Sequence, residues 1–266
     1  MKFLQNLDDD IKHNLLAQLR NLWTHTSTAI EGNTLTLGET AFVIEEGLTV
    51  SGKPLKDHED VAGHAHAIVL IYKMVAANAA IAKDDLFALH KAVLKEHIVD
   101  IYKPYGAWKL EQNGAYFVNE HDDQVYIEYA APNDVSALMT EWLELLNRYF
   151  FEELTQDDAL AAYTKLHIAF VRIHPFFDGN GRLARLLANL PVVRSGYPPI
   201  TIAKEKRRDY ITLLAKYELS VGVPKPGASL APENALYQEF VTFCRYNWQP
   251  SWDLVVEARR VMAART

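Results

Sequence analysis

Cysteine is nearly absent. The single Cys244 excludes an intramolecular disulfide framework and any thiolate metal cage. It stands between Phe243 and Arg245 in an aromatic-rich stretch, where a small buried hydrophobe is a better reading than a nucleophile. Long apolar runs are missing as well. Stretches such as 67–71 are far too short to span a bilayer, and the first ten residues hold no signal core. These absences point to a cytoplasmic protein with no membrane partner. Glycine (12) and proline (11) are too few in 266 residues for a collagenous or linker-rich chain. Positive charge is in the minority: 27 Lys and Arg against 34 Asp and Glu leave −7, which argues against a nucleic-acid partner held through its phosphates. The one basic cluster, at 204–208, is interrupted by Glu205 and reads as a solvated helix start.

What is present is helical rhythm. Ile11, Leu15, Leu19, Leu22, Trp23 and Ile30 form one apolar stripe, opened by the acidic run at 8–10 and stopped by Gly32. The same spacing predicts helices over about 39–46, 55–77, 84–97, 133–150, 157–172, 204–219, 233–247 and 252–265, and another running from 181 through Leu190. Asp84 and Asn133 offer N-caps, while Pro54 and Pro132 mark entries. Residues 114–130 break the pattern with two β-prone runs around a polar turn at 119–124, which reads as a β-hairpin. Such a hairpin is either a surface flap or an edge that pairs with an extended partner peptide. The fold class is therefore all-α with one hairpin. His58, His64 and His66 share one predicted helix, but the 64/66 spacing puts those two on different faces, so they read as ordinary helix histidines rather than metal ligands.

The chemistry is concentrated in His174-Pro-Phe-Phe-Asp-Gly-Asn-Gly-Arg-Leu-Ala-Arg185. Pro175 halts an apolar helix and presents His174 at a loop mouth. Gly179, Asn180 and Gly181 allow a tight turn whose N–H groups can converge on an anion. The stripe Leu183, Leu186, Leu187, Leu190 starts a new helix whose N-terminus favours phosphate at the same place. Arg182 and Arg185 lie three apart, close enough to serve neighbouring oxygens. Asp178 adds one hard oxygen, the usual way Mg²⁺ is held beside a nucleotide's phosphates. Together these residues read as a phosphoryl or nucleotidyl transfer site. It is not a P-loop, because the spacing and the lysine of that motif are missing.

The segment from His174 to Arg185 resembles the signature of the Fic (filamentation induced by cAMP) family, His-Pro-Phe-x-Asp-Gly-Asn-Gly-Arg-x-x-Arg, at every fixed position. The resemblance covers roughly residues 15–220. It implies a mostly helical fold with the hairpin as a flap over the active site, and transfer of AMP from ATP to a protein hydroxyl with release of pyrophosphate. Carried over by position, His174 is the general base and Asp178 holds Mg²⁺. Gly179, Asn180 and Gly181 form the anion hole, and Arg182 and Arg185 balance phosphate charge. Leu183, Ala184 and Tyr210 count among the nucleotide-binding positions, and Phe176 is a core anchor. Glycine at 181, where kinase relatives carry lysine, favours AMP transfer. Upstream, Ser27-Thr-Ala-Ile-Glu31-Gly32 is similar to the family's inhibitory helix, Ser/Thr-x-x-x-Glu-Gly/Asn. That likeness implies a pair between Glu31 and Arg185 in the space of the ATP γ-phosphate.

The implied organisation is an inhibitory helix at 1–35, a Fic core at 36–220 and a helical extension at 221–266 packed on that core. Implied partners are ATP, a protein target docked at the flap, and a second copy in a homodimer. Two further readings stand beside AMP transfer. One is removal of AMP from a modified target, with Glu31 orienting the water. The other is nucleotide binding without turnover.

Overall fold

The computed structural model describes residues 1–94, 103–118 and 122–265. Eleven α-helices are seen among them: α1 Asp9–Ile30, α2 Leu37–Glu46, α3 Leu55–Ala77, α4 Lys83–Leu94, α5 Pro132–Phe151, α6 Gln156–Ile173, α7 Asn180–Leu187, α8 Asn189–Arg194, α9 Arg207–Val221, α10 Ala235–Asn247 and α11 Gln249–Ala263. The strands β1 (Gly114–Val118) and β2 (Gln124–Glu128) form one antiparallel pair, with Tyr116 opposite Tyr126 and Phe117 opposite Val125. The expected fold class holds. No helix among the described residues is long and apolar enough to cross a membrane.

The centre of the molecule is α6. Thr155 starts it by accepting from the Asp158 N–H at 3.2 Å, a capping box with Asp158 reaching back. Both its faces are apolar, so from Ala159 to Ile173 it is buried almost throughout, and α5, α7, α8 and α10 pack around it. Trp142 of α5 donates its indole N–H to the Leu166 carbonyl at 3.0 Å and fixes one contact of that core. The continuous core runs from Trp23 and Ile30 of α1 to Phe240 and Trp248. A separate small core joins the start of the chain to α11: Phe3, Leu7, Ile11, Leu15 and Leu19 pack on Val255 and Ala258. Cys244 is buried, as its sequence context suggests.

Several boundaries differ from the sequence expectation for local reasons. The helix expected from 181 through Leu190 breaks after Leu187, because Pro191 has no N–H to continue the ladder, and α8 resumes at Asn189. Asn133 does not cap α5; Pro132 occupies the first turn, where a missing N–H costs nothing. Asp84 lies inside the first turn of α4, and it is Asp85 Oδ2 that accepts the Ala82 N–H at 2.8 Å. The helix expected at 252–265 begins at Gln249, since Pro250 is tolerated in a first turn. Residues 95–97 of the expected fourth helix and 119–121 of the expected hairpin turn lie outside the described residues.

Candidate active site

The site begins where α6 ends. His174 takes the C-cap with φ +50°, a left-handed pose that histidine tolerates and that turns the chain sharply away from the helix axis. Its Nδ1 lies 3.1 Å from the Val171 carbonyl. A carbonyl only accepts, so Nδ1 carries the proton and Nε2 keeps its lone pair. Tyr129, just past β2, stacks flat on the imidazole at 3.8 Å with 1° between the planes. Burial pushes the imidazole pKa down to about 3, helped by the Lys109 ammonium and opposed by the Val171 bond and Asp178. The imidazole is therefore uncharged.

The next residues form the cradle. Asn180 spends its side chain on the turn itself, accepting from the Phe176 N–H at 2.9 Å and donating to the Phe176 carbonyl at 2.8 Å. Gly179 sits at φ +78° and opens α7. The first backbone N–H groups of α7 are those a helix leaves without intrahelical partners. Leu183 and Ala184 do not line the cleft: their side chains are in the core, and the Leu183 N–H already donates to the Gly179 carbonyl at 3.0 Å. Phe176 is fully buried against His90, ring centroids 4.1 Å apart.

Arg185 is the hub. Its side chain is 3% exposed and every donor group is engaged. Nε donates to Ser27 Oγ at 3.0 Å, Nη2 to the Ser27 carbonyl at 2.9 Å and to Glu31 Oε1 at 2.6 Å, and Nη1 to the Tyr210 hydroxyl at 3.4 Å. The end of α1 is thus locked to α7 across 154 residues of sequence. Guanidinium only donates, so the Tyr210 phenol accepts from it and gives its own proton to His167 Nε2, 2.9 Å away. His167 is buried and its pKa is pushed down to about 3, which suits an acceptor. A Cβ added at Gly181 would lie 2.8 Å from Glu31 Oε1 and 3.2 Å from Arg185 Nη1, so any side chain there would push the ends of the pair aside. Gly32 follows at φ +99°, outside the cleft lining.

The cleft has a volume of about 290 Å³. Its floor is Asp178 to Arg182 with Arg185 behind. One wall is the hairpin (Ala115, Phe117, Ile127) and the other is α9, with the end of α1 between. Four residues escaped sequence reasoning. Asp60 of α3 binds Arg182 Nη1 at 2.7 Å, which turns one side of that arginine away from any ligand. Arg207 lines the cleft and donates from Nε to the Ile30 carbonyl at 2.6 Å, so the basic cluster is more than a solvated helix start. Glu218, to which the resemblance carried no role, closes the far end at 5% exposed. Its Oε2 pairs with Arg172 Nε at 3.4 Å, and burial pushes its pKa up to about 8. The fourth, Lys109, contacts the carbonyls of Ile173 and Pro175 on either side of His174, at 3.4 and 2.8 Å. Each contact joins elements far apart in the chain, so no local pattern announced it. His58 and His64 are buried in α3, and no group of three His, Cys, Asp or Glu side chains that could hold a metal is found among the described residues.

For Mg²⁺ the relevant donor is Asp178. Its side chain is 60% exposed, Oδ1 accepts the Gly179 N–H at 2.6 Å and Oδ2 lies 3.6 Å from Arg182. One open carboxylate beside an anion cradle fits an ion that takes its remaining ligands from phosphate and water.

A helical body with a hairpin wall over a His-Pro-Phe turn and a glycine cradle defines the Fic class of fold. Residues 80–192 match the Fic/DOC family model. A Fic domain containing signaling protein from Bacteroides thetaiotaomicron superposes with a TM-score of 0.80 at 25% identity, covering 99% of this chain and 94% of that one. Among curated proteins, protein adenylyltransferase fic-1 of Caenorhabditis elegans is 28% identical over 224 residues, 80% of this chain and 41% of the relative. Protein adenylyltransferase Fic of Drosophila persimilis is 35% identical over 188 residues, 71% of this chain and 34% of the relative. The chain therefore spans about two fifths or less of the length of these curated relatives.

Proposed function

We propose that this chain is a protein adenylyltransferase that rests in a self-inhibited state. Its substrates are ATP and a serine, threonine or tyrosine hydroxyl of a protein target. The observation that carries the reading is the neutral His174, Nε2 unprotonated, beside a helix N-terminus and a buried arginine in one cleft. In the reaction the acceptor hydroxyl gives its proton to His174 Nε2 as its oxygen bonds to the α-phosphorus. The bond from that phosphorus to the β-bridging oxygen breaks, and pyrophosphate leaves with the electron pair. The α7 amides and Arg185 face the negative charge of the phosphates, and they act in a site where little water competes. Asp178 would hold Mg²⁺ together with phosphate oxygens, and the ion would neutralise part of the charge on the leaving pyrophosphate. Names of the curated relatives support AMP transfer.

Inhibition follows from the 2.6 Å pair. While Glu31 holds Arg185, that guanidinium is not free for the γ-phosphate, and ATP binds with its α-phosphorus poorly aligned. The assignment of 1–35 to an inhibitory helix, 36–220 to the core and 221–266 to an extension belongs to this reading. So do docking of the target at the free strand edges of the flap, and a homodimer. Removal of AMP is a second reading, favoured by one observation: Glu31 is 43% exposed, with only Oε1 in the pair, so Oε2 can orient a water. Incubation with labelled ATP, Mg²⁺ and cell lysate, read by mass spectrometry for AMP on hydroxyl side chains, tests the first reading. Incubation with an AMPylated target tests the second.

A further inference from the structure

Lysine is seldom buried, because its ammonium loses hydration that only an acid or a set of acceptors replaces. Lys109 is 3% exposed. It lies on the segment 103–113 that leads into β1, and the Nζ contacts seen are with neutral groups: Asn113 Oδ1 at 2.5 Å and the Ile173 carbonyl at 3.4 Å. Its backbone N–H donates to the Pro175 carbonyl at 2.8 Å. Asn113 extends the grip by donating Nδ2 to the Phe176 carbonyl at 3.0 Å. Two residues therefore hold the carbonyls of 173, 175 and 176, which bracket His174. The same segment is tied to the far root of the hairpin: Asn113 O accepts the Tyr129 N–H at 3.4 Å and Gln112 donates to the Tyr129 carbonyl at 2.8 Å. Tyr129 is the ring stacked on the imidazole.

We propose that Lys109 is a positioning residue for His174: its buried ammonium bolts the root of the flap to the turn that carries the imidazole and sets a positive charge next to that turn. The proposal rests on His174 being the base of the AMP transfer described above. A neutral donor could satisfy the same carbonyls at lower desolvation cost, so the charge itself is the part that needs a role. The groups that face His174 are few. Lys109 acts from the 103–113 segment, Asp178 from the turn after it, Tyr129 from the end of β2, and the Val171 carbonyl from α6. Of these only Lys109 carries positive charge, and its Nζ contacts the carbonyl of Ile173, the residue before His174. After a proton arrives at Nε2, that charge favours its release, which resets the base.

The test compares Lys109→Met, which keeps the apolar stem, with Lys109→Arg, which keeps the charge. In NMR titration of the His174 ring over the pH range in which the fold persists, assigned by its loss in His174→Asn, protonation of the Met variant should set in at a pH higher by about half a unit or more. In the Glu31→Gly background, Lys109→Met should lower kcat for AMP transfer ~10-fold or more with KM for ATP within about twofold, and Lys109→Arg should restore both readouts. Unchanged titration with unchanged kcat in a folded variant overturns the proposal, as does a loss of ATP affinity with kcat retained. Where Lys109→Met does not fold, Lys109→Gln, which keeps a donor without the charge, is read in the same way. The titration needs no turnover. If Glu31→Gly transfers no AMP at all, the proposed function fails while the effect of Lys109 on the ring is still decided.

Discussion

Replacing Glu31 with glycine should unlock the enzyme, and the size of the effect can be worked from the pair itself. The contact is 2.6 Å long between a carboxylate and a guanidinium whose side chain is 3% exposed. Hydrogen bonds to charged groups contribute about 1.5–3 kcal/mol. Glu31 is 43% exposed, and screening at that end reduces the figure to ~1–2 kcal/mol. At about 1.36 kcal/mol per tenfold, release of Arg185 alone is equivalent to ~5–30-fold. Realignment of the α-phosphorus adds to this, because ~1 Å of misplacement can cost ~10²-fold. The expected gain in AMP transfer and self-modification is at least ~10-fold. Glycine should be tolerated at 31, which is the C-cap of α1 with an accessible backbone pose, so the fold stays intact. The assay is incorporation of α-labelled ATP at saturating ATP and Mg²⁺. Glu31→Gly combined with Arg185→Ala should be slow again, and any removal of AMP should vanish with the carboxylate. Equal rates for wild type and Glu31→Gly would refute the lock.

Three further outcomes are open to measurement. In the Glu31→Gly background, His174→Ala should lose ~10²–10⁴-fold in transfer rate while ATP affinity by calorimetry stays nearly unchanged, since the ring faces the acceptor and not the cradle. Gly181→Ala should weaken ATP binding and spread Glu31 from Arg185, because the new methyl would meet them at 2.8 and 3.2 Å; unchanged binding isotherms would count against the cradle. Acid should destabilise the fold early. Burial lowers the pKa values of His64, His90 (to about 4) and His167 (to about 3), so below the ordinary value of 6.5 the unfolded chain binds protons that the native chain refuses. Stability is then fully present above about pH 6.5 and is lost as pH falls, by about 1.4 kcal/mol per unit per histidine. A thermal midpoint that stays flat from pH 7 to 5 would contradict this.

The helices and the catalytic turn were legible because their signals are local. The spacing of Leu15, Leu19 and Trp23, or the twelve residues from His174 to Arg185, can be read without knowing what they touch. Partners were less legible. The Asp60–Arg182 pair joins residues 122 apart and leaves no periodic trace. Arg207 sits in a basic cluster that looks solvated, and its bond to the end of α1 exists only once α9 is docked. Asn180 was legible only through its backbone N–H in the turn; the inward bonds of its side chain to Phe176 left no trace in the sequence. Hairpin existence was readable but its faces were not. Tyr116 and Val118 point to solvent and Ile127 is buried against Ala215, a distinction set by α9 and not by the strands.

The place where α1 enters the main core decides how the proposed lock opens. Trp23 and Ile30, 1% and 2% exposed, belong to that core, so drawing the helix end away would return both to water at a cost of ~3–6 kcal/mol. Swinging only the Glu31 side chain breaks one half-exposed ion pair. The cheaper motion is a side-chain torsion, and exposed rotamers interconvert in picoseconds to nanoseconds. Inhibition of this kind behaves as a rapid pre-equilibrium, graded by whatever competes for Arg185. Progress curves should then begin linearly, without the lag that a slow helix displacement would impose.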